Sequence, residues 1–305
     1  MTLAHRTPLG SVAAHAVAAA AFPPSAPPAL TTLVSRALGV DQTGARRVLR
    51  ASRAANRRFQ HDYDRLARTP AAVPPALDWA GATVWSRALK ADGRPLILAT
   101  LHLGCYLSAL LALADHLRWL GRITVIRRRR DDPREHDAQL NFLRIGLELV
   151  VVRTRDHPAR AALRALRRGE HVLLLYDVPP GFDVGRTEAA PFLGLPAHMA
   201  SGPAQLAAHA DALLWPFAIP MIDGTLRMRT REPLAPGTKA ACQAATRALA
   251  RFAEDCILEA PEQWLLWTHL PALWGLNVPA VGAPAEGTLS GALPGALPGT
   301  LPGTS

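Results

Sequence analysis

The stretch Leu96-Ile97-Leu98-Ala99-Thr100-Leu101-His102-Leu103-Gly104-Cys105-Tyr106-Leu107 decides how the chain is read. A continuous apolar run ends at a histidine, and a glycine and a long apolar segment follow. A run of this length bounded by turn residues predicts a strand buried on both faces. Its last residue opens onto the loop at the strand's C-terminal end, where open α/β sheets place their chemistry. His102 would then sit between a sheet edge and a helix N-terminus. A neutral imidazole there can take a proton from a hydroxyl, and free amides at the terminus can stabilise an oxyanion. A histidine that merely caps the helix is the alternative reading.

Outward from this stretch, strands alternate with helices. Leu103 to Leu120 is almost wholly apolar and predicts a buried helix that Gly121 stops. Ile123–Ile126, Leu147–Val152 and the run His171-Val172-Leu173-Leu174-Leu175-Tyr176-Asp177 predict three further strands. An arginine-rich helix over 157–168 precedes the last of them. Pro179-Pro180-Gly181 begins an irregular loop to about Pro196, and Met199–His209 reads as a helix rich in small residues. Leu213–Pro220 is a strand, paired with Leu226–Arg231 across the Asp223-Gly224 turn. Thr238–Glu259 is a long amphipathic helix, and Pro261–Trp274 is an aromatic closing segment. Before the central run, Leu77–Leu89 reads as a short helix. This order predicts a single α/β domain with a mainly parallel, mixed sheet flanked by helices.

The domain is expected over residues 41–276. Residues 1–40 are Ala/Pro-rich and read as a weakly ordered N-terminal segment. Within it, Val12–Phe22 follows His5 and Arg6 in the manner of a signal peptide. However, His15 interrupts it, and Pro23-Pro24 ends it, which favours a surface-lying helix. Residues 277–305 repeat Gly-Ala-Leu-Pro and Gly-Thr-Leu-Pro without charge or amphipathic period, the composition of a disordered tail.

With 34 Lys+Arg against 24 Asp+Glu, the net charge is +10, and the surplus favours anionic partners. Much of it lies on a predicted helix over Asp41–Arg68. There Val48, Ala55, Phe59, Tyr63 and Leu66 make an apolar stripe, and Arg46, Arg47, Arg50, Arg53, Arg57, Arg58, Arg65 and Arg68 crowd the rest. That helix reads as docked on a core with a solvated basic face, or as laid against anionic lipid or an acidic carrier protein; the two are compatible, since one face can dock while the other attracts. The run Arg127–Arg130 has no interleaved aromatic residues, which disfavours nucleic acid.

The three cysteines (Cys105, Cys242, Cys256) lack metal or disulfide spacing, and a reducing cytoplasm is expected. No run of about 18 apolar residues predicts a membrane span. Walker, dinucleotide-binding, zinc-protease and nucleophile-elbow signatures are absent. His15, His61, His116, His136, His157 and His209 have no partners at metal spacing. Cys105 reads as a packing residue of the first helical turn rather than a nucleophile.

Thr100-Leu101-His102-Leu103-Gly104-Cys105-Tyr106 resembles the H-x-G-x-W/Y core of the H-x4-D/E motif of the lysophospholipid acyltransferase superfamily, in the form of its lipid A late-acyltransferase branch. Further blocks follow in the family's order. Leu166-Arg167-Arg168-Gly169-Glu170-His171-Val172-Leu173-Leu174-Leu175-Tyr176-Asp177 resembles the "L-R-x-G-x-x-V-x-L-L-x-D" strand. Pro191-Phe192-Leu193-Gly194-Leu195-Pro196-Ala197 resembles the "P-F-x-G-x-P-A" loop, and Ser201–Ala207 resembles the helix after it. Pro261-Glu262-Gln263-Trp264-Leu265-Leu266-Trp267-Thr268-His269 resembles the C-terminal "P-E-Q-W-x-W-x-H" signature.

The resemblance implies acyl transfer from acyl carrier protein or coenzyme A to a hydroxyl of a lipid or glycolipid. The protein would be cytoplasmic and peripheral on the inner face of the cell membrane, with no cofactor besides the thioester co-substrate. His102 would be the general base. Gly104, Arg127, Arg144, Phe192, Gly194 and Pro196 would bind substrate. One position departs: the acid expected five residues after His102 is Leu107. Asp115 lies too far along the same helix to replace it, and Glu148 begins a strand at the opposite edge. Asp177 ends a different strand on the same edge as His102, and is the candidate; a turn-capping aspartate before Pro179-Pro180 is its other reading. The alternative function is a catalytically weakened homologue that binds acyl chains or acyl carrier protein.

Overall fold

A computed structural model describes residues 27–68, 76–104, 106–127, 143, 148–153, 157–180 and 185–276. Of the segments read from sequence, 1–26 and 277–305, together with Cys105 and residues 128–130, lie outside this set.

The chain opens with α1 (Pro28–Leu38), which ends on Gly39 in the left-handed conformation, and α2 (Gln42–Arg68). The sequence placed residues 28–38 in a weakly ordered segment, yet α1 packs on α2 and buries Leu30, Thr31 and Val34. The buried stripe of α2 is Ala45, Leu49, Ser52 and Phe59, while Val48 is only half-buried. An apolar count passed over Ser52, whose hydroxyl is satisfied at a distant carbonyl.

Next come β1 (Leu77–Asp78), α3 (Thr83–Asp92), β2 (Leu96–Thr100) and α4 (Tyr106–Leu117). The helix expected from Leu77 thus starts at Thr83, because Leu77 and Asp78 pair with a later strand. The succession continues with β3 (Arg122–Arg127), β4 (Glu148–Arg153), α5 (Pro158–Arg167) and β5 (His171–Leu175). The second half holds β6 (Thr187–Phe192), β7 (Leu195–Ala200), α6 (Gly202–Ala210) and β8 (Leu213–Ala218). It closes with β9 (Met221–Ile222), β10 (Thr225–Arg227), β11 (Arg229–Thr230), α7 (Lys239–Glu259) and α8 (Leu270–Leu273).

The main sheet has the order β11-β8-β2-β5-β3-β4. Five strands are parallel, and β11 runs antiparallel at one edge. Every residue of β2 is buried, as the unbroken apolar run requires of a central parallel strand. Ile97 and Ala99 face one core, shared with α1, α2, α5, α6 and α7. Leu96 and Leu98 face the other, shared with α3 and α4. This alternation across the pleat makes both faces of the strand interior.

Two connections differ from the sequence reading. The stretch before Pro196, expected as an irregular loop, is the β6–β7 hairpin. Its two-residue turn puts Leu193 at φ 51° and Gly194 at φ 83°, the left-handed pair that a tight hairpin demands. Pro191 stands opposite Pro196, a pairing tolerable in an isolated two-stranded ribbon and misleading to a strand search. Strand β7 absorbs Met199 and Ala200, so the following helix begins at Gly202. The Asp223-Gly224 turn does form, but it joins β9 to β10, while β11 takes the place beside β8.

One buried group stands at the sheet's far edge. His171 Nδ1 accepts a hydrogen bond from the Leu96 amide at 3.1 Å. Burial pushes this imidazole down to about 4, against a smaller opposing pull from Glu170. The unfolded chain therefore takes up a proton near pH 6.5 that the folded chain refuses. This stability is full above that pH and falls as the pH drops through about 4, by at most about 3 kcal/mol. In His171→Asn the amide oxygen can accept from Leu96 without titrating. Urea unfolding at pH 7.5 and pH 5 is expected to show a smaller loss of stability for the variant than for the wild type.

Candidate active site

The parallel pairing of β2 with β5 sets Thr100 beside Leu175. Two residues further along each strand come His102 and Asp177, so the sheet register brings them to one point on its C-terminal edge. The Asp177 Oδ1 lies 2.8 Å from His102 Nδ1. The Asp177 side chain is fully buried, whereas that of His102 is 23 % exposed. The imidazole is therefore held from the interior and reachable from outside.

Asp177 Oδ2 accepts two further hydrogen bonds, from the His102 amide at 2.9 Å and from the Trp264 indole N–H at 2.9 Å. Burial pushes the carboxyl up, but the charge of His102 and these three donors outweigh it and hold the group below the usual carboxylate range. Asp177 is thus an ionised acceptor aimed at a histidine, not a turn cap.

The histidine loop is laced to the C-terminal aromatic segment. Leu103 bridges Trp264 in antiparallel fashion. Gly104 N donates to Gln263 O at 2.8 Å, and Leu265 N donates to His102 O at 2.9 Å. Gly104 has φ 61°, and a Cβ there would stand 3.0 Å from Gln263 Oε1. That amide oxygen is fixed in turn, since Gln263 accepts from Met221 N at 2.9 Å and donates to Met221 O at 2.7 Å. Gly104 is required by its backbone angle and by this close approach. The amides of His102 and Gly104 are occupied by Asp177 and Gln263.

The other residues singled out from sequence are dispersed. Phe192 is fully buried, with its ring edge-on to Trp264 at 5.9 Å, so it buttresses the tryptophan that holds Asp177. Its carbonyl accepts from Trp274 Nε1 at 2.9 Å. Gly194 and Pro196 are exposed at the tip of the β6–β7 hairpin, and nothing lies within 4 Å of where a Gly194 Cβ would be. Gly194 is there for its positive φ. Arg127 ends β3, on the same edge as His102, and Arg144 lies outside the described residues. Leu107 falls in the first turn of α4, and Glu148 begins β4 at the opposite edge, beside Arg122.

Sequence reasoning missed Trp264, Gln263 and Ser52 as members of the site. The Ser52 hydroxyl, buried on α2, donates to Trp264 O at 2.8 Å. The Trp264 ring also packs edge-on against Trp267 at 4.8 Å. Their signal was the density of aromatic residues in the closing segment, which marks a packed element without saying what it packs on.

Among the described residues, no group of three or more His, Cys, Asp or Glu side chains could hold a metal ion. Among them, too, no helix is long and apolar enough to cross a membrane. Residues 68–270, about two thirds of the chain, match the family profile described as bacterial lipid A biosynthesis acyltransferase. A search of curated proteins found no match.

Proposed function

Because the chain belongs to the bacterial lipid A biosynthesis acyltransferase family, we propose that it moves a fatty acyl group from a thioester donor to a hydroxyl of a lipid or glycolipid acceptor, with His102 as general base. Acyl transfer to a lipid acceptor is the chemistry of the family. The carrying observation for the residue assignment is the 2.8 Å contact between His102 Nδ1 and the buried Asp177 carboxylate.

With Nδ1–H donated to Asp177, the neutral ring presents Nε2 as a base. Nε2 takes the proton of the acceptor hydroxyl as its oxygen attacks the thioester carbonyl. The new C–O bond forms, and the carbonyl electrons move to oxygen. Collapse of the tetrahedral adduct breaks the C–S bond, and the imidazolium returns its proton to the departing thiolate. Asp177 holds the ring in the required tautomer and stabilises the imidazolium while it lasts. The reaction uses no cofactor beyond the thioester.

The family's usual acid, five residues after the histidine, is Leu107 here. Asp177 supplies a carboxylate from a neighbouring strand instead. The reading as a catalytically weakened binder of acyl chains or acyl carrier protein rests on the missing acid, and the carboxylate beside the imidazole supports the catalytic reading over it.

The exposed guanidinium groups of Arg46, Arg47, Arg50, Arg57, Arg58 and Arg65 line α2, the helix joined to the site through Ser52. This face would receive the anionic donor, acyl carrier protein or coenzyme A, or rest on the anionic inner surface of the cell membrane. The testing experiment is lipid mass spectrometry of cells with and without the protein. One lipid class is expected to lose a single acyl chain in its absence. Identical lipid profiles in the two strains count against the reading.

A further inference from the structure

We propose that Trp264 is the positioning residue of the His102–Asp177 pair: its indole N–H fixes the carboxylate so that one oxygen alone faces the imidazole. The proposal rests on the reading of His102 and Asp177 given above.

A carboxylate has two oxygens and can rotate to offer either one. Here Oδ2 is occupied by the Trp264 indole and the His102 amide, both at 2.9 Å, which leaves Oδ1 for the ring. The indole is itself located from several sides. Its residue bridges Leu103, its carbonyl receives the Ser52 hydroxyl, and its ring lies edge-on to Phe192 and Trp267.

Packing alone does not explain that aim. Two other tryptophans, Trp119 and Trp215, bury their indole nitrogens with no hydrogen-bond partner among the described residues. This fold therefore tolerates a buried indole N–H without an acceptor. The one at Trp264 is directed onto an ionised carboxylate, where a neutral donor has an electrostatic consequence. It draws charge from Asp177 and so tempers the pull of that carboxylate on the imidazolium. A ring held too strongly as imidazolium is a poor base at neutral pH and a reluctant acid towards the leaving thiolate.

The test needs no substrate. The His102 ring nitrogens are followed by 15N NMR across pH in protein carrying labelled histidine, with His102→Ala to identify the resonances. Three proteins are compared with the wild type: Trp264→Phe, a chain with benzothienylalanine at position 264, and Asp177→Asn. The benzothienyl ring keeps the indole shape and replaces N–H by sulfur, which answers the question if the phenylalanine variant folds poorly. Loss of the N–H is expected to raise the His102 titration midpoint relative to the wild type. Asp177→Asn is expected to lower it. An unchanged midpoint in the benzothienyl protein, with a lowered one in Asp177→Asn, overturns the role of Trp264 and leaves the pair intact. An unchanged midpoint in Asp177→Asn overturns the pairing of His102 with Asp177, and the proposal with it.

Discussion

His102→Ala is expected to lower the rate of acyl transfer by about 10⁴-fold, because it removes the only base placed on the hydroxyl's path in the proposed mechanism. The side-chain contact to the buried Asp177 is lost, but two further bonds run through the backbone: the amide donates to Asp177, and the carbonyl accepts from Leu265. Both survive in alanine. The imidazole is partly exposed, so its removal opens the site to water rather than leaving a sealed cavity. Thermal unfolding of the variant should fall within a few degrees of the wild type while thiol release from the acyl thioester disappears. A folded variant that still transfers at the wild-type rate ends the assignment of His102 as base.

Asp177→Asn should cost nearly as much, about 10³- to 10⁴-fold in kcat, through the ring's tautomer and not its position. The asparagine oxygen can accept from the Trp264 indole and the His102 amide, as Oδ2 does in the wild type. The side-chain NH₂ then faces Nδ1. Two donors cannot share that bond, so Nδ1 becomes the acceptor and the proton moves to Nε2, the nitrogen that must receive the substrate's proton. The buried charge vanishes at the same time, so the fold has little reason to suffer. Steady-state kinetics on the purified variant decide the matter. A kcat within tenfold of the wild type would mean that Asp177 does not orient the base.

The two residues on which these expectations rest were legible in the sequence for a simple reason. Each follows an unbroken apolar run, and parallel strands of one sheet deliver their C-terminal ends to one edge. That argument needs no contact information, only strand order. It located Asp177 without the motif acid, and the pairing of Thr100 with Leu175 completes it.

What the sequence concealed is non-local. Trp264 and Asp177 are separated by 87 residues, and Ser52 and Trp264 by 212, so no periodicity within one element connects them. Ser52 is polar and dropped out of the apolar stripe of α2, although it is fully buried. Phe192 and Gly194 are grouped as one substrate loop by the resemblance to the P-F-x-G-x-P-A block. The hairpin turn separates them: Phe192 is the last strand residue and packs into the core behind Trp264, whereas Gly194 lies in the left-handed turn itself.

The lacing of the histidine loop to the C-terminal segment also orders events in time. His102 and Trp264 are about 160 residues apart, so a ribosome adding roughly 5–20 residues per second makes one some ten to thirty seconds before the other. During that interval the sheet strands carrying His102 and Asp177 can be complete, yet the carboxylate has no indole and the loop after the histidine has no antiparallel partner. A chain cut short ahead of Trp264 would hold both chemical groups and none of the restraint on them. Activity is thereby expected only of chains that extend past Trp264.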